Sequence, residues 1–181
     1  MPQPSIETLR LLLRPFRLDD APVVHELAGD RDIAATTMNI PHPYEPGMAG
    51  AWIAEHEPGY RDGTTATFAI TLRDDAELVG AIGLRIDRNL GKAELGYWIG
   101  KPYWNNGYAS EAAIAIIDFG FDALGLNRIH AAHLARNPAS GRVMQKAGMV
   151  LEGTARQDAI KWGQYEDLVS YGILREDWTV R

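Results

Sequence analysis

The sequence predicts an α+β fold built on a mixed, mostly antiparallel sheet with one parallel pair at its centre. Two observations carry this. From Thr65 the apolar residues recur with period two through three runs joined by short polar turns, which is the pattern of an antiparallel meander. After Gly107 the period lengthens to that of a helix and then returns to two, and a strand-helix-strand unit of this size is a right-handed parallel crossover.

The elements follow in order. Leu9 to Pro15 alternates Leu and Arg in part and predicts a first strand that Pro15 stops. Asp19 and Asp20 before Pro22 predict a helix start, with Val24, Leu27 and Ala28 as the apolar stripe. Between Pro41 and Pro58 a short helix over Met48 to Glu57 is expected, flanked by loops. Ala66, Phe68, Ile70 and Leu72 mark the next strand. Leu78, Ile82, Leu84 and Ile86 mark its neighbour, and Ala93, Leu95, Tyr97 and Ile99 a third. Ile114, Ile117, Phe121 and Leu124 give a helix that Gly125 ends. Arg128 to Leu134 is then a strand, Pro138 to Ala147 a helix, and Met149 to Arg156 and Tyr165 to Leu174 two last strands.

Composition narrows the function. With 46% hydrophobic and 23% charged residues in 181, the chain is expected to fold as one globular domain over residues 1–181. There is no apolar run of membrane-spanning length, and MPQPSIETLR has no apolar signal core, so the expected location is the cytoplasm. No cysteine is present, which removes disulfides, thiol nucleophiles and thiolate metal sites. A net charge of −6 argues against nucleic-acid binding, which needs a basic face. His130 and His133 lie three apart on an expected strand and so face opposite sides; no metal site is expected.

The stretch KPYWNNGYASEAA, from Lys101 to Ala113, places a glycine turn between a strand and a helix. The first amides of a helix lack internal partners and sit at the positive end of its dipole, so such a turn is a seat for an anion. It lacks the lysine of a phosphate-binding P-loop and the three-glycine dinucleotide spacing. A turn that merely starts a helix would look the same.

Its surroundings are more specific. AELGYWIGKPYWNNGYASEA, followed by NPASGRVMQKAGM and a Gly-Gln-Tyr-Glu-Asp strand entry, resembles the GCN5-related N-acetyltransferases (GNAT). The branch most resembled contains the ribosomal-protein N-terminal-alanine acetyltransferases, and the likeness spans Ile6 to Trp178. It implies a GNAT-like sheet of about seven strands, helices on both faces and a central parallel pair that splays. It implies acetyl-coenzyme A as cosubstrate, its pyrophosphate on the amides of Asn105, Asn106, Gly107, Tyr108, Ala109 and Ser110. Its pantetheine arm would run along the strand containing Trp98 and Ile99. Asn137 and Ser140 match the family's second motif, and Asn137 is equally suited to cap the helix that Pro138 opens. Relatives often carry a basic residue where this chain has Asn106, so Arg142 and Lys146 are candidate supplementary cations. A homodimer is a family-level expectation.

Acetyl transfer to an amine needs a deprotonated amine and donors for the developing charge, and its leaving thiolate is aided by an acid. An α-amine, with a pKa near 8, is roughly one-tenth neutral at pH 7, so a weak base suffices. Glu94 matches an acidic position of many relatives and is the candidate base, with partial burial expected to raise its pKa. A solvated strand glutamate is the plainer alternative. The tyrosine that much of the superfamily places seven residues after the motif Asn is here Met144, so Ser140 becomes the candidate acid, with Tyr108 and Tyr171 in reserve. The expected function is an N-acetyltransferase acting on a protein N-terminus or a small amine. The alternative is a catalytically silent acyl-coenzyme A sensor or partner-binding module on the same fold.

Overall fold

The computed structural model describes residues 2–178. Its strands are β1 (Ile6–Glu7), β2 (Leu11–Arg14), β3 (Thr65–Leu72), β4 (Leu78–Asp87), β5 (Lys92–Ile99), β6 (Arg128–Leu134), β7 (Val150–Lys161) and β8 (Gln164–Leu174). They form one eight-stranded sheet in the order β1-β2-β3-β4-β5-β6-β8-β7. Only β5 and β6 pair in parallel. The meander, the crossover and the mixed sheet follow the sequence expectation. The strand beyond the expected seven is β1, whose two residues are too few to show a period.

Helices cover both faces. On one, α5 (Tyr108–Asp122) and α6 (Pro138–Lys146) bury Ile116, Ile117, Phe121 and Met144 against Leu11, Phe68, Ile82, Leu95 and Ile129. On the other, α1 (Ala21–Ala28), α2 (Arg31–Thr36) and α3 (Met48–Ala54) bring Val24, Ile33 and Ile53 onto Ala69, Ala81 and Trp98. The alternation along β5 thus sorts its side chains: Ala93, Leu95 and Ile99 join the first core and Trp98 the second.

Three local departures have physical causes. Asp20 does not cap α1 with its side chain. Its carboxylate accepts two 2.8 Å bonds from the Arg14 guanidinium and one from the Arg17 amide, tying β2 to the helix entry. The helix expected over Met48 to Glu57 is two, α3 and α4 (His56–Arg61). Pro58 has no amide hydrogen and its ring would meet the carbonyl of Ala54, so the chain restarts at His56 and places Pro58 in a first turn. The short α2 lies in a stretch with no expected element, and its Asp30 accepts from the Asp32 amide as an N-cap.

His56 is buried against Phe16 and Trp52, with ring centroids 5.1 and 4.3 Å away, and its Nδ1 has no hydrogen-bond partner. Burial lowers its pKa from 6.5 to about 4. The folded protein therefore holds a neutral imidazole where the unfolded chain would take up a proton. Stability is complete above pH 6.5 and is lost as the pH falls towards 4, by up to about 3 kcal/mol from this group. Denaturant titrations across that window should show the loss, and His56→Phe should lose less than the parent over the same range; equal slopes would remove His56 from the account.

Candidate active site

β5 and β6 are paired only where Lys92–Glu94 meet Arg128–His130. Beyond that point they separate, while each stays in register with its outer neighbour. β5 follows β4 as far as Ile99 opposite Gly80, and β6 follows β8 as far as Leu134 opposite Leu168. The inner edges are thus left without a ladder over the second half of both strands. Two cavities, of about 350 and 490 Å³, open at this parting. Both are lined by Thr36, Thr37, Tyr97, Trp98 and Ser140, so they meet there.

The smaller cavity runs from the parting to the start of α5. Asn105 and Gly107 are left-handed, at φ +65° and +81°, and no side chain caps α5. A turn of this kind turns successive amides inward as an anion nest, at the positive end of a fifteen-residue helix. Arg142 and Lys146 of α6 line the opposite wall, and neither belongs to an ion pair among the described residues. Asn106 faces away: its side-chain amide donates to the Tyr103 and Trp104 carbonyls and knits the turn. Behind the turn, Arg10 donates to the Asn106 carbonyl, pairs with Glu111 and lies 4.9 Å over the Tyr108 ring. A long, polyanionic thioester fits this cradle: amides and two cations at one end, an unpaired strand edge along its length.

α6 is set at the parting by its cap. Asn137 Oδ1 accepts from the Ser140 amide at 3.4 Å, while its Nδ2 donates to the Thr36 carbonyl at 3.2 Å. The Asn side chain therefore both starts α6 and straps it to the end of α2. Ser140 faces Tyr97 across the cavities, with the two hydroxyl oxygens 2.8 Å apart.

The larger cavity lies between the sheet and the loop after α2. Its walls are mostly apolar, among them Ile40, Tyr44, Met48, Trp52, Leu95 and Met144. Among the described residues its only charged lining groups are Glu94 and Arg85, which are paired with each other across β4 and β5. Glu94 is partly buried, with 39% of its side chain exposed, and it shares the wall with its counter-ion. Residues 38–40 of the loop are held from behind by Lys161 at the tip of the β7–β8 hairpin. Its ammonium donates to the Met38 and Ile40 carbonyls at 3.4 and 2.9 Å and lies 5.5 Å from the Trp162 ring, and the residue is only 7% exposed.

Of the residues singled out from sequence, Trp98, Ile99, Asn105, Gly107, Tyr108, Ala109, Ser110, Asn137, Ser140, Arg142 and Lys146 line the smaller cavity and Glu94 the larger. Tyr171 lies outside both, stacked on His133 and accepting from Gln145. Sequence reasoning missed Thr36 and Thr37, Tyr97 and Arg85. The Asp30 cap was the available signal for the first two. Tyr97 was hidden by an apolar alternation that made it look like core. No group of three or more His, Cys, Asp or Glu among the described residues is placed to hold a metal ion, and no described helix is long and apolar enough to cross a membrane.

Because Lys161 belongs to no ion pair among the described residues, and burial and the Arg136 charge both lower its pKa, it holds the wall of the larger cavity at a desolvation cost. Lys161→Met should keep the sheet intact but speed amide exchange in residues 38–43 by about tenfold, the effect of losing roughly 1.4 kcal/mol of local hold. Unchanged exchange there would show that the loop stands without it.

The family model described as acetyltransferase (GNAT) domain matches residues 10–150. The uncharacterized N-acetyltransferase p20 of Bacillus licheniformis is 30% identical over 96% of this chain and 98% of its own. The [ribosomal protein uS5]-alanine N-acetyltransferase of Escherichia coli is 26% identical over 66% of this chain and 63% of its own. In overall fold the chain superposes with a TM-score of 0.87, at 18% identity, on RimL, the ribosomal L7/L12 α-N-protein acetyltransferase solved with coenzyme A. That superposition covers 94% of this chain and 98% of the other. With the family match, the sheet that splays at one parallel pair and the cradle for an acyl thioester in hand, the chain belongs to the GNAT family of acetyl-coenzyme A-dependent N-acetyltransferases.

Proposed function

We propose that the protein acetylates the primary amine of an acceptor with an apolar body, by direct attack through a tetrahedral intermediate. One observation carries the reading: two cavities of different chemistry, one cationic and amide-lined, one apolar, meet at five shared residues where the sheet parts. Bound acetyl-coenzyme A supplies the activated acetyl thioester. The amides of Gly107 to Ser110 with Arg142 and Lys146 hold its phosphate end, and the open edge of β5 at Trp98 and Ile99 orients its arm. Trp104 has already taken the Ile99 carbonyl, through a 2.6 Å bond from its indole, so the arm pairs with the remaining groups of that edge.

The acceptor amine enters from the apolar cavity. A polyamine would bring several charges to a wall that offers one carboxylate, itself paired with Arg85. An amine with a single charge and an apolar neighbour, such as a peptide N-terminus or an apolar amino acid, suits that wall better. Glu94 stands three residues before Tyr97 on the other face of β5, about 10 Å along the strand. It therefore takes the amine's proton through water. Ser140 donates towards the departing sulfur.

The test is release of free thiol from acetyl-coenzyme A over an amine panel. Peptides and amino acids with apolar side chains should turn over faster than spermidine; the reverse order would sink the apolar-acceptor reading. Tight binding of the cofactor without turnover on any amine would favour the sensor. Glu94→Gln should lower the rate at pH 7 on the order of 100-fold and recover partly by pH 9, as the amine deprotonates unaided. Wild-type rates across that range would remove Glu94 from the mechanism.

A further inference from the structure

The Tyr97 hydroxyl lies 2.8 Å from the Ser140 Oγ and 3.0 Å from the Ser140 carbonyl oxygen. Both residues line both cavities, and they come from elements 43 positions apart in sequence. A phenol has one proton to give. If it goes to the carbonyl, which can only accept, then the 2.8 Å contact requires the Ser140 hydroxyl to point its own proton back at Tyr97. If the phenol instead donates to Oγ, the serine proton is released to point elsewhere. The pair thus has two proton arrangements, and only the second presents a donor to the junction of the cavities.

We infer that Tyr97 is a positioning residue that aims the Ser140 hydroxyl at the sulfur leaving the acetyl group, an inference that rests on the acyl-transfer reading above. A serine in a first helical turn has several rotamers, and its hydroxyl competes for local carbonyls and water. Tyr97 selects one rotamer and, as negative charge gathers on sulfur, turns its O–H to donate a hydrogen bond to Oγ so that the serine O–H points outward. The balance closes without either hydroxyl being consumed. The acceptor nitrogen bonds to the carbonyl carbon, and the carbon–sulfur pair stays with sulfur. The nitrogen sheds one proton to water and the sulfur takes one up. Tyr97 itself stays a phenol throughout: burial raises its pKa to about 12, although the Ser140 bond acts in the opposite sense. That protonated state supports its role as a donor at neutral pH. The position where other GNAT sequences place an acid tyrosine is occupied here by Met144, which is 2% exposed and has no proton to offer.

A binding measurement tests this without any acceptor. Coenzyme A is titrated with base in its stoichiometric complex and the thiolate followed by ultraviolet absorbance, with the acetyl-coenzyme A complex as blank for the protein's tyrosines. The wild-type complex should ionise below the ordinary thiol value of about 8.5. Tyr97→Phe should move that midpoint up by about one unit, a tenfold loss of thiolate preference, while affinity for coenzyme A stays within twofold. Ser140→Ala should move it at least as far, and the double variant no farther than Ser140→Ala alone, because the two hydroxyls act as one unit. In turnover, Tyr97→Phe should lower kcat about tenfold with KM for acetyl-coenzyme A unchanged. A Tyr97→Phe complex that titrates like wild type, or a double variant whose shift is the sum of the two, overturns the inference and leaves acyl transfer standing. Failure of the wild-type protein to bind coenzyme A overturns both.

Discussion

Everything functional in this fold depends on the parallel pairing of β5 and β6 ending after three residues. A parting in mid-sheet exposes backbone donors and acceptors on two edges, which a protein ordinarily avoids. It persists here because each strand keeps a full ladder on its other side, β5 with β4 and β6 with β8. The separation therefore cannot be closed by moving one strand without breaking the register of an antiparallel pair. Side-chain hydrogen bonds then fix its shape: the Trp104 indole on the Ile99 carbonyl, Tyr97 of β5 with Ser140 of α6, and Asn137 between α6 and α2. What remains is a slot with free main-chain groups, open to a different cavity at each end.

The cationic end shows how recognition can be moved off side chains. Asn106 occupies a position where a basic residue was the family expectation, yet its side chain is spent inside the turn. Positive charge nonetheless surrounds the turn from other elements. Arg10 comes from the segment between the first two strands, Arg142 and Lys146 from α6. Arg10 is already engaged with Glu111 and with the Asn106 carbonyl, so it stiffens the turn more than it offers free charge. Arg142 and Lys146 are uncommitted and face the cavity. An anion held at this end would meet fixed amide dipoles, which salt screens little at close range, and two flexible cations, which it screens more.

The parts of this design that were legible in the sequence share a property: they follow from backbone period or from local chain chemistry. The meander, the crossover, the glycine turn at residue 107 and the Asn137–Pro138 helix start are all written within a few consecutive residues. The missed features depend on contacts between distant segments. Tyr97 has the same parity as Leu95 and Ile99, and only the approach of α6 distinguishes it from them. Arg85 gains significance only because register sets it opposite Glu94. α2 is six residues long, too short for periodicity, yet it and its C-cap supply Thr36 and Thr37 to the junction. The helix start at Asp20 is written in the local pattern, but the partner of its carboxylate is not: the Arg14 guanidinium takes it in place of the helix amides.

Charge placement separates the two cavities as sharply as shape does. The cofactor side holds two unpaired cations. The larger cavity balances its one carboxylate with its one guanidinium among the described residues, and behind its wall it buries Lys161, whose ammonium reaches carbonyls. A buried cation without a carboxylate partner is a poor way to gain stability. Here it fastens the hairpin tip to the loop that forms the wall, joining two segments 121 positions apart. Such a fastening needs a long, flexible donor able to reach two carbonyls that no strand addresses, which a shorter neutral side chain could not do. The same ammonium adds positive potential behind the wall of the cavity. That potential would weigh against a polycationic amine in this cavity, and attack on a thioester in every case requires the neutral amine with its lone pair free.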